Sequence, residues 1–104
     1  MQSFKQNMLL LIKRYGISMK IDVNIDACKQ GERKALENLY KAYSDRLKRI
    51  CLHYVEDEST AEDILHDAFI IIFTSINSLK DNSKLEGWMI TIVRNLSLRF
   101  LQST

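Results

Sequence analysis

An all-α helical bundle is the fold this sequence predicts, and three observations carry the prediction. The chain has no proline and only three glycines, Gly16, Gly31 and Gly87. Sandwiches and barrels need more turn-formers than that. Apolar residues recur at spacings of three and four through three long stretches, the period of a helix with one buried face. With 104 residues, 46% of them hydrophobic, the chain has material for one packed core and no room for two. The expected architecture is three long helices preceded by one or two short ones.

Residues 3–15 read as a short amphipathic helix, with Phe4, Met8, Leu11, Ile12 and Tyr15 on one side and Gly16 at its end. Met19 is an alternative start of the protein. A start there would make residues 1–18 an upstream extension; residues 1–21 are read as an N-terminal extension and 22–104 as the domain. Asp22 is placed to cap a short helix that stops at Gly31.

Residues 32–55 read as a long helix. Leu36, Leu39, Tyr40, Tyr43, Leu47, Ile50, Cys51 and Tyr54 form its apolar face, with basic residues between them. The polar break Glu56-Asp57-Glu58 precedes Ser59-Thr60-Ala61-Glu62, the pattern of a capping box. The second long helix would carry Ile64, Leu65, Ala68, Phe69, Ile72, Phe73 and Ile76. Its block Ile70-Ile71-Ile72-Phe73 is apolar on every face, so part of it must point away from a simple seam. A buried strand competes for this block, because isoleucine and phenylalanine favour strands, but the flanking period favours helix. Residues 77–83 read as a polar loop. Ser83-Lys84-Leu85-Glu86 has the form of a second capping box, and Leu85, Trp88, Met89, Ile92, Val93, Leu96 and Phe100 give the last helix its apolar side.

The net charge of +2 is too small to argue for nucleic acid by itself. Its distribution says more. Residues 1–20 carry four basic side chains and no acid, while 56–67 carry six acids and no lysine or arginine. From residue 68 onward the balance returns to +2, so two different partners are plausible for the acidic and basic elements. Cys28 and Cys51 fall among apolar helical positions and read as reduced, buried thiols of a cytoplasmic protein. The run Met8–Ile12 is far too short to span a membrane. His66 and the acids around it fall short of a zinc or di-iron pattern, and His53 lies on another helix, so no metal and no cofactor is expected. No phosphate-binding glycine loop, nucleophile–base pair or pair of catalytic acids can be assembled, which argues against an enzyme.

Three strings in order carry a family resemblance. Gly31-Glu32-Arg33-Lys34-Ala35-Leu36-Glu37-Asn38-Leu39-Tyr40 resembles the opening of region 2 in bacterial sigma factors of the extracytoplasmic-function (ECF) type. Ala61-Glu62-Asp63-Ile64-Leu65-His66-Asp67-Ala68-Phe69 resembles that family's acidic helix. Gly87-Trp88-Met89-Ile90-Thr91-Ile92-Val93-Arg94-Asn95-Leu96 resembles its promoter-reading helix. The resemblance spans roughly residues 24–102 and implies the fold of a sigma-70 region 2 domain.

It also implies a function in transcription initiation. Asp63, His66 and Asp67 would face a clamp coiled coil on the largest subunit of core RNA polymerase, where carboxylates on one helical face suit a basic partner. His66 departs from the glutamine more usual there, and its imidazole still offers one hydrogen-bond donor. Asn77, Ser78, Lys80, Asn82 and Ser83 in the loop, with Trp88, Thr91, Arg94, Asn95 and Arg99 on the last helix, would hold single-stranded bases of the −10 promoter element. Family members usually carry a further helix-turn-helix domain, region 4, which is absent from this chain. The alternative is a helical interaction module whose Ile70–Phe73 block binds a partner helix, such as that of an anti-sigma factor.

Overall fold

The computed structural model describes residues 23–103. Its elements are α1 (Ile25–Lys29), α2 (Arg33–Tyr54), α3 (Glu58–Ser75) and α4 (Leu85–Gln102), with 3-10 turns at Ile76–Ser78 and Asn82–Lys84. Among the described residues there is no strand, so the Ile70–Phe73 block is helical as the flanking period predicts. The extension 1–21, with the helix expected at 3–15 and the alternative start at Met19, lies outside the described residues, as does Asp22.

Helix α1 begins later than expected. Asn24, not Asp22, is its cap, and the Asn24 side chain accepts from the Ala27 amide at 3.0 Å. It ends where glycine predicts, with Gly31 at φ +79°. The Gly31 N–H donates to the Cys28 carbonyl at 3.0 Å and the Glu32 N–H to the Ala27 carbonyl at 3.1 Å, which closes the helix end. A Cβ added at Gly31 would meet nothing within 4 Å, so alanine there would suffer only from its backbone conformation. Gly31→Ala is expected to lower stability by about 1 kcal/mol, read as a shift in the urea midpoint.

Neither capping box forms. Helix α3 is capped by Asp57, whose carboxylate accepts from the Thr60 amide at 3.1 Å and the Thr60 hydroxyl at 2.7 Å. An ionised carboxylate is a stronger acceptor than a serine hydroxyl, so the helix starts at Glu58 and Ser59 becomes part of its first turn. At the second site Ser83 donates to Asp81 instead, and Glu86 pairs with Arg46 of α2. The 3-10 turn runs directly into α4, whose N-cap is Lys84 rather than Ser83, and the Leu85 amide donates to the Asn82 carbonyl.

The Asp57 cap has a pH signature. The Thr60 hydroxyl and amide hold its carboxyl below the usual carboxylate range. A folded value below the unfolded one means the cap contributes fully above the unfolded value and is lost as pH falls through the folded one. Asp57→Ala should therefore flatten the acid side of a stability-versus-pH curve, measured by thermal unfolding at successive pH values.

Helices α2, α3 and α4 pack on one another in all three pairings. Lys48 of α2 reaches Glu58 and Glu62 at the start of α3, and Tyr40 packs its ring at a tilt against Phe69 further along, so α2 and α3 run antiparallel. Arg46 with Glu86 and Cys51 beside Ser97 show α4 running in the same direction as α2. Leu39, Leu47, Ile72, Met89 and Val93 fill the centre. The fully buried Ala61, Ala68, Cys51 and Ser97 are small, which lets the backbones approach closely. Cys28 and Cys51 are both free and buried, and burial pushes both thiols above their ordinary value. The apolar block divides: Ile72 is in the core and Phe73 half-buried, while Ile71 is 36% and Ile70 62% exposed.

Candidate functional site

The acidic run 56–67 is sorted by its neighbours. Asp57 is committed to the α3 cap. Lys48 donates to Glu58 at 2.8 Å and to Glu62 at 3.0 Å. These hydrogen bonds raise the Lys48 pKa, and the one to Glu58 lowers that carboxyl, so both ends favour the ion pair. Asp63 and Asp67 are exposed, and no described residue engages them. The spacing 63, 67, 70, 74 places Asp63, Asp67, Ile70 and Thr74 in one stripe along α3, with His66 beside it, also exposed. The three residues expected to face polymerase thus share one outer face, and an exposed isoleucine extends it. The Ile70 position was visible in the sequence only as part of an undivided apolar block.

Next to this stripe, between α2 and α3, lies a groove lined by Leu36, Tyr40 and Phe73, with Arg33, Glu37 and Lys41 at its edge. Phe69 meets both Tyr40 and Phe73 in tilted ring contacts, with centroids 4.8 and 5.5 Å apart, and so backs the groove's two aromatic walls.

The loop between α3 and α4 is less open than a polar string suggests. Ser78 donates its hydroxyl to the Ser75 carbonyl at 2.6 Å. Asp81 accepts both the hydroxyl and the amide of Ser83, and these bonds hold its carboxyl below the ordinary range. Asn82 turns towards α1: its Oδ1 accepts from Lys29 Nζ at 2.8 Å and its Nδ2 donates to Asp26 at 3.2 Å. Asn77 and Lys80 are exposed and unengaged by described residues.

A second groove is lined by Leu79, Ser83, Lys84, Gly87, Trp88 and Thr91. Trp88 is half-buried: it packs against the core and also walls this groove. The Thr91 hydroxyl donates to the Gly87 carbonyl at 2.9 Å and keeps its acceptor lone pairs for a ligand. Beyond it Arg94, Asn95 and Arg99 are exposed along the same side of α4. The structure therefore brings Ser83, Trp88 and Thr91 together, continues them with Arg94, Asn95 and Arg99, and turns Asn82 away to α1. Sequence reasoning passed over Lys84 and Gly87; a lysine between the loop and the tryptophan was the available signal.

Arginine and lysine at the rim suit phosphates, the indole face suits a base, and amide and hydroxyl groups suit base edges. At Gly87 an added Cβ would meet nothing within 4 Å. Gly87→Ala, inside a helix, is expected to raise stability by about 0.5–1 kcal/mol in thermal unfolding while placing a methyl in the groove.

Comparison with known proteins places the chain in a family. The Sigma-70 region 2 family model matches residues 39–104. The chain belongs to the sigma-70 region 2 family, on its ECF branch. It is 29% identical over 82 residues to the ECF RNA polymerase sigma factor SigW of Bacillus subtilis, covering 79% of this chain and 44% of that protein. It is 32% identical over 73 residues to the ECF RNA polymerase sigma factor BldN of Streptomyces coelicolor, covering 69% of this chain and 28% of that one. The RNA polymerase sigma factor SigZ of B. subtilis is 29% identical over 68 residues, 65% of this chain and 39% of that protein. The chain thus spans less than half the length of these relatives. No solved structure matches it at a significant level.

Proposed function

We propose that this domain acts in transcription initiation, joining core RNA polymerase through the Asp63–His66–Asp67 face of α3 and holding the single-stranded −10 promoter element through the loop and α4. It contributes no catalysis of its own and works in the cytoplasm with the polymerase. The observation that carries the reading is the sorting of the acidic run: Lys48 engages both Glu58 and Glu62, while Asp63 and Asp67 stay exposed and unengaged. Two desolvatable carboxylates on a rigid helix face suit a basic helical partner. The groove beside Trp88, rimmed by Lys84 and continued by Arg94 and Arg99, suits a strand whose bases have left the duplex.

The test is direct. The chain is titrated with bacterial core polymerase, and the complex with single-stranded promoter DNA. Saturable binding in both steps is the expected result. A folded chain that leaves polymerase unbound sinks the reading.

A second reading rests on the groove of Leu36, Tyr40 and Phe73 with exposed Ile70 and Ile71 nearby. This surface suits the apolar face of a partner helix, such as that of an anti-sigma factor, and the module would then bind that partner without promoter activity.

A further inference from the structure

Helix α1 is five residues long and holds both ends of the loop. It packs against the 3-10 turn Ile76–Ser78 and hydrogen-bonds Asn82 at the other end. The Asn82 amide is fully specified by this pair. Lys29 can only donate, so it requires the carbonyl oxygen, and ionised Asp26 can only accept, so it requires the amide nitrogen. One rotation of the side chain satisfies both, and the flipped amide satisfies neither. Asn82 sits one residue before Ser83 and two before Lys84, which line the groove beside Trp88. The orientation of Asn82 therefore sets how that edge of the groove is presented.

We propose that Asp26 and Lys29 are positioning residues for nucleic-acid binding: through Asn82 they hold the loop in the shape that presents Ser83, Lys84 and Trp88 to a single strand. The proposal rests on the promoter reading above and changes one part of it. Asn82 is not a base reader but the link between α1 and the groove. Preorganising a loop raises affinity by removing the ordering cost that binding would otherwise carry.

The experiment uses the complex with core polymerase and a fluorescein-labelled pool of random-sequence single-stranded DNA. The double variant Asp26→Ala, Lys29→Ala is expected to bind the pool about fivefold more weakly, with polymerase affinity unchanged. Asn82→Ala should show a similar loss. The triple variant should be no weaker than Asn82→Ala alone, because residues acting as one unit are not additive. Asp26→Asn keeps the acceptor and Lys29→Arg the donor, so each should retain binding. Backbone hydrogen exchange in the free double variant should quicken at 79–84 and not in α2, α3 or α4.

Wild-type affinity in the double variant overturns the proposal, as does a full additive loss in the triple variant. Exchange that quickens throughout the helices would assign the loss to general destabilisation and overturn it too. A wild-type complex that takes up no single strand brings down the promoter reading and this proposal with it, whereas equal uptake by wild type and double variant removes the proposal alone.

Discussion

Removing the carboxylates of Asp63 and Asp67 together is expected to weaken binding to core RNA polymerase by a hundredfold or more, with little change in stability. Hydrogen bonds to charged groups contribute roughly 1.5–3 kcal/mol each when their partners are left buried and unpaired. Two of them make about 3 kcal/mol or more, and every 1.4 kcal/mol is about tenfold in affinity. Neither residue is engaged by the described fold and both are exposed, so the Asp63→Ala, Asp67→Ala variant should unfold within about 0.5 kcal/mol of wild type. The control is Glu58→Ala, Glu62→Ala, which removes the same charge from the same helix but strips the partners from Lys48. If charge alone drew the chain to polymerase, both pairs would weaken binding equally. If the exposed face is the docking surface, only the first pair does. Titration of each variant with core polymerase, beside urea unfolding, decides between them.

The second large effect is on the fold itself. Leu39 is 0% exposed within the cluster that joins the three long helices. Leu39→Ala is expected to cost about 3 kcal/mol, the lost transfer energy of the side chain plus the cavity it leaves. That is a large share of the roughly 5–15 kcal/mol that holds a typical domain together. The urea midpoint should fall sharply with the slope unchanged. Ile70→Ala removes a similar amount of hydrocarbon from a residue 62% exposed, and should move the midpoint only slightly. Comparable losses in both would mean that Ile70 is covered in solution.

Helix positions were legible because periodicity reports burial, and burial is what the helices share. Leu39, Leu47, Leu65, Met89 and Val93 all stand on the faces their spacing predicts and all are buried. Helix starts were misjudged for a local reason. Two acceptors, Asp57 and Ser59, stand two residues apart, and strings alone do not say which the backbone will use. The candidate site was legible as residue types and illegible as commitments. Whether Glu62 or Asp63 is available to a partner depends on Lys48, which lies on another helix. Asn82 reads from sequence as one loop amide among several, because Asp26 and Lys29, its partners, are 56 and 53 positions away. Trp88 reads both as part of its helix's apolar side and as a base contact; half-buried against the core and lining a groove, it is placed for both.

The stripe along α3 has a direction. Its carboxylates stand nearer the amino end, at Asp63 and Asp67, and its hydrocarbon nearer the carboxyl end, at Ile70. A helix laid along it with cations over the first part and aliphatic groups over the second satisfies both. Turned end for end, the same helix would press ammonium or guanidinium groups onto isoleucine and strand two carboxylates under hydrocarbon, an arrangement that desolvation penalises heavily. If this stripe receives the helical partner proposed above, it would select that partner's polarity as well as its composition, and the docked helix would have one heading along it.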